Sequence, residues 1–87
     1  MKLIIAIVHD YDADNVTRAL TSAEFRVTRI ASTGGLLRRG VTTLMIGVED
    51  NRVEPALEIL RGTCSPSTDE EKRATIFVVP VTNFVQV

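Results

Sequence analysis

Residues 2–8 are apolar apart from Lys2, β-branched in their middle and bounded by the polar pair His9-Asp10. That pattern predicts a buried strand. A helix follows, with Asp10 or Asp12 available to cap its start. Ala13, Val16, Ala19, Leu20 and Ala23 then fall on one helical face, and Glu24-Phe25 ends the element. A second strand is predicted from Phe25 to Thr33, broken by Gly34-Gly35. The stretch to Gly40 reads as a loop carrying Leu36, Leu37, Arg38 and Arg39.

Thr42 to Val48 forms a third predicted strand, with Leu44, Ile46 and Val48 on one side. Asp50 or Asn51 caps a second helix whose apolar stripe is Val53, Ala56, Leu57 and Leu60. Pro55 is tolerated only in a first turn, so an irregular helix start is expected. Gly62 is a natural terminator. Residues 63–73 are polar and form a loop, and Ala74 to Val81 is a fourth strand. The tail from Thr82 carries Phe84, Val85 and Val87, too apolar for a solvated end.

The order β-α-β-β-α-β predicts an α+β domain of ferredoxin-like type over residues 1–87, with both helices on one face of an antiparallel sheet. The other face should then alternate toward polar residues. It does not. The first strand is apolar at every position from 3 to 8, and the fourth presents Ile76 and Val78 to one side, Phe77, Val79 and Val81 to the other. Both faces call for cover. Three or more copies packed sheet to sheet would supply it; the competing reading is that the tail covers the face within one chain. A small core, one cysteine (Cys64) and one histidine (His9) leave association as the remaining route to extra burial.

A formal net charge of −1 argues against a dedicated nucleic-acid binder. The opening apolar run is too short to span a membrane and lacks a signal-peptide layout, so the cytoplasm is the expected compartment. No catalytic set is evident. Cys64 and His9 lie at ends of different elements, and Asp10, Asp12 and Asp14 lack the glycine and distal glutamate of a calcium loop. No metal site and no cofactor are expected.

Residues 26–40 differ from the rest. They hold four arginines, three hydroxyls and three glycines in fifteen residues. Glycines let backbone N–H groups approach an anion, and arginine supplies planar, permanently charged donors suited to phosphate. Arg26, Thr28 and Ser32 alternate along one face of the strand. Leu36 and Leu37 suit a wall for something flat and apolar. The same residues equally fit an exposed hairpin loop whose leucines pack on the core or on a neighbouring subunit.

The segments Met1-Lys-Leu-Ile-Ile-Ala-Ile-Val, Phe25-Arg-Val-Thr-Arg-Ile-Ala-Ser-Thr-Gly-Gly-Leu-Leu-Arg, Thr42-Thr-Leu-Met-Ile-Gly-Val-Glu-Asp and Ala74-Thr-Ile-Phe-Val-Val-Pro-Val resemble the PII-like cyclic di-AMP receptors. The resemblance implies a homotrimer of ferredoxin-like subunits with cyclic di-AMP at each subunit interface, relaying the signal to a protein partner. It implies ligand-binding roles at Arg26, Thr28, Gly35, Leu36, Leu37, Val41, Gly47, Phe77 and Gln86. Three features depart from the family pattern. Leu36 stands where the family usually has Phe, and Val41 where it usually has Asn. The 64–73 loop is short and reaches Lys72-Arg73 where the family has Gly-Gly. These departures fit an alternative, a divergent trimer that binds another adenine nucleotide or no small ligand and acts by protein contact.

Overall fold

A computed structural model describes residues 1–32, 40–66 and 72–87. Four strands and two helices follow the predicted order: β1 (Lys2–His9), α1 (Asp10–Ser22), β2 (Val27–Ser32), β3 (Val41–Val48), α2 (Val53–Thr63) and β4 (Ala74–Pro80). The sheet is antiparallel in the order β2-β3-β1-β4, so the strongly apolar β1 lies in its centre. This is the ferredoxin-like arrangement. Glycines 34 and 35 and most of the predicted loop around them lie outside the described residues.

The register divides the sheet cleanly. Ile4, Ala6 and Val8 of β1 lie opposite Ile46, Leu44 and Thr42 of β3, and all six are buried beneath the helices. Ala13, Val16 and Leu20 of α1 and Ala56 and Leu60 of α2 complete that core. The helical stripes therefore face the sheet as their spacing predicts. Leu3, Ile5 and Ile7 point the other way.

The start of α1 departs from expectation. The helix begins directly at Asp10, with His9 as its N-cap residue and no side-chain cap. Asp10 and Asp12 turn inward and are buried. Asp10 accepts a hydrogen bond from the Thr42 hydroxyl, and Asp12 accepts from the Ser65 backbone N–H at 3.0 Å and its hydroxyl at 2.6 Å. Because β1 runs into α1 without a linker, these carboxylates sit on the inner side of the first turn. There they tie α1 to the start of β3 and to the chain leaving α2. Burying a carboxylate is costly unless donors surround it, and here they do. The Asp10 N–H donates to the Gly40 carbonyl, and His9 Nε2–H donates to that of Lys72.

The end of α1 is a Schellman turn. The Phe25 N–H bonds the Leu20 carbonyl at 3.0 Å and the Glu24 N–H bonds that of Thr21 at 2.9 Å. Glu24 adopts the left-handed conformation (φ 69°) that favours glycine. Phe25 is buried in the turn and lies before β2, which starts at Val27. At the other junction, Pro55 is accommodated as foreseen. A 3₁₀ turn over Asp50–Arg52 precedes α2 and leaves Pro55 in the first helical turn, where no N–H is missed. Asp50 holds this turn against β1 through the terminal amine at 3.0 Å and Lys2 at 3.5 Å; those contacts lower its pKa, the amine hydrogen bond most.

One irregularity changes the site. β2 bulges between Arg29 and Ala31, so Ala31 lies across from Thr43 and Ser32 across from Thr42. Thr28 pairs with Met45 on the open face, whereas Ser32 pairs with a helix-side residue. The predicted alternation of Arg26, Thr28 and Ser32 assumes an unbroken period of two, and the bulge inserts one residue into it before Ser32.

Two stability outcomes follow. Glu24→Gly relieves the left-handed strain by about 1 kcal/mol and raises Tm by about 5 °C in a thermal melt. Asp12→Ala removes the acceptor for both Ser65 donors and lowers the unfolding free energy by about 2–3 kcal/mol, read by urea denaturation at fixed protein concentration.

Candidate functional site

The open sheet face is built from the odd positions of β1 and their neighbours. One row runs straight across all four strands: Thr28, Met45, Ile5 and Phe77. Beside it Gly47, Leu3 and Val79 form a second row. Phe77 is 53% exposed, and Val79 is also exposed. The tail does not cover them, since Phe84 is 62% and Val85 73% exposed. An apolar face is thus left open on both its sheet and its tail.

The predicted ligand residues divide into separate groups on this face. Arg26 and Gly47 line one shallow pocket of about 210 Å³ with Met1, Glu24, Phe25, Val48, Glu49 and Arg52. Thr28 is exposed two residues further along the same edge. Phe77 stands at the opposite edge, three strand spacings or about 14 Å from Thr28. Val41 lies across from His9 at the far end of β3, six residues or about 20 Å from Gly47. Gln86 is exposed in the tail. Gly35, Leu36 and Leu37 lie outside the described residues. One chain therefore joins Arg26, Thr28 and Gly47 at one edge but leaves Phe77 on the other.

Gly47 is informative because packing does not require it. A Cβ built there meets only the Met1 side chain, at 4.0 Å. A glycine within a strand weakens it and marks a place where another group comes close. Among the described residues only Met1 does so. The bare backbone faces outward from the open face, next to Arg26.

Arg52 was not singled out by sequence. Its guanidinium lies over the Phe25 ring, 4.0 Å from the centroid, and Nη2 donates to the Ala23 carbonyl at 3.0 Å. The available signal was the Phe25-Arg26 pair, but nothing in linear spacing connects residue 52 to it.

A second cleft, about 320 Å³, lies between α2 and β4 and is lined by Leu60, Arg61, Cys64, Lys72, Arg73, Ala74 and Ile76. None of the predicted ligand residues among those described borders it. Burial, reinforced by Asp12, pushes the Cys64 thiol up, with Arg73 opposing. That is the opposite of what a nucleophilic cysteine needs. The His9 ring stacks on Tyr11, with centroids 5.0 Å apart. Among the described residues no cluster of His, Cys, Asp and Glu could hold a metal ion, and no helix is long and apolar enough to cross a membrane.

Comparison with known proteins agrees with this fold. A solved structure of a functionally unknown protein from Pediococcus pentosaceus ATCC 25745 is similar over 99% of this chain and 96% of its own, at 36% identity and a TM-score of 0.77. The family model described as cyclic-di-AMP receptor matches residues 1–72, which take in β1 through α2 and the whole arginine–glycine segment. With a match over most of its length, the chain belongs to the cyclic-di-AMP receptor family.

Proposed function

We propose that this protein is a PII-like signalling trimer that binds cyclic di-AMP at the seams between its subunits and passes the signal to a protein partner in the cytoplasm. The observation that carries this reading is the split of the site. Arg26, Thr28 and Gly47 occupy one edge region of an open apolar face, and Phe77 the other. Packing the open faces of three copies together buries Leu3, Ile5, Met45, Phe77 and Val79 and can bring one copy's Phe77 edge to the next copy's Arg26 edge. Burial of apolar area drives such association at roughly 25 cal/mol per Å².

The ligand's chemistry suits the pieces. Cyclic di-AMP carries two phosphates and two flat bases. Arg26 offers a forked cationic donor for phosphate. Gly47 leaves room for close approach, and an aromatic ring such as Phe77 gives a base a stacking surface worth about 1–3 kcal/mol. Leu36 and Val41 replace an aromatic and an amide of the family pattern, which favours a second reading: a trimer tuned to another adenine nucleotide, or to none.

Calorimetric titration separates the readings. Saturable binding of cyclic di-AMP supports the first. Absence of heat up to about millimolar ligand, the weak end of the affinity scale, contradicts it. A thermal-shift screen over adenine nucleotides then identifies any replacement ligand, because a ligand selective for the folded state raises Tm. In the same titration, Gly47→Ala leaves Tm unchanged or raised, since the strand gains up to about 1 kcal/mol. It weakens cyclic di-AMP by about tenfold or more by crowding the approach.

A further inference from the structure

We propose that Arg52 is a positioning residue for Arg26, and that it sets ligand affinity without having to touch the ligand. The inference rests on the reading above, in which Arg26 binds cyclic di-AMP. Arg26 emerges from a three-residue turn, Ala23-Glu24-Phe25, whose middle residue is strained at φ 69°. Arg52 grips both ends of that turn. Its Nη2 donates to the Ala23 carbonyl at 3.0 Å, and its guanidinium carbon lies 4.0 Å from the centre of the Phe25 ring. The next residue is Arg26.

The grip needs arginine in particular. A forked, planar cation can sit over a ring while an edge nitrogen bonds a carbonyl. Lysine keeps the charge but gives up that geometry. Arg52 also shares the pocket with Arg26 and Gly47, so release of the turn would shift the wall from which Arg26 reaches. Displacement of a binding group by even an ångström is costly when the contact is a directional charged hydrogen bond.

The test is a double-mutant cycle read by calorimetry with cyclic di-AMP, at a temperature where circular dichroism shows every variant folded. Arg52→Lys and Arg52→Ala each weaken binding about tenfold, roughly the worth of one charged hydrogen bond. Made in an Arg26→Lys background, Arg52→Lys weakens binding by less than about twofold, because the residue it positions has already changed. Arg52→Lys binding as tightly as the unaltered chain overturns the inference, since charge alone then suffices. So does a full tenfold loss in both backgrounds, which would make the two residues independent. A Tm drop with unchanged affinity also overturns it, as a purely structural role. If the unaltered chain binds no cyclic di-AMP, the functional reading itself fails before any variant is made, and this inference falls with it.

Discussion

The constraint on which the rest depends is a central strand that is apolar on both sides. β1 buries Ile4, Ala6 and Val8 beneath two helices and turns Leu3, Ile5 and Ile7 the other way. Both of the chain's helices are spent on one face, and among the described residues no further element covers the second. Its tail leaves Phe84 and Val85 exposed, so it does not fill that role. A surface of this kind is an interaction surface in a small domain. The proposed trimer accounts for candidate binding residues on opposite sheet edges, since a site made at a seam has no need to be complete in one chain.

On the helix side, the junction between β1 and α1 fixes the geometry. Two buried carboxylates, Asp10 and Asp12, replace conventional caps and gather the start of β3 and the chain after α2 onto one point. Such hydrogen-bonded buried groups favour one arrangement because a slip would leave charge without donors. At the opposite end, the Schellman turn, Phe25 and Arg52 do comparable work where β2 begins. The sheet is thus held at both ends of β3, between which the open face is displayed.

Much of this was legible in the sequence because it depends on period. The two helical stripes, the apolar β1 and the two-sided Phe77, Val79 pattern of β4 are local regularities, and the structure places them as their spacing requires. What sequence did not show depends on contacts between distant residues. Asp10 and Asp12 look like caps until Thr42 and Ser65 are brought beside them. The bulge after Arg29 has no residue signature, yet it shifts the register of β2 against β3. Arg52 is silent in sequence because its partners, Ala23 and Phe25, are about thirty positions away. Among the site residues, family likeness named Arg26 and Gly47, and the structure brings those two into one pocket. It leaves Phe77 on the far edge.

Sedimentation equilibrium of the purified chain at micromolar concentration, without added ligand, addresses the covered face most directly. The account predicts a species of three chain masses. A stable species of one chain mass, with Phe77 and Val79 open to water, would contradict it.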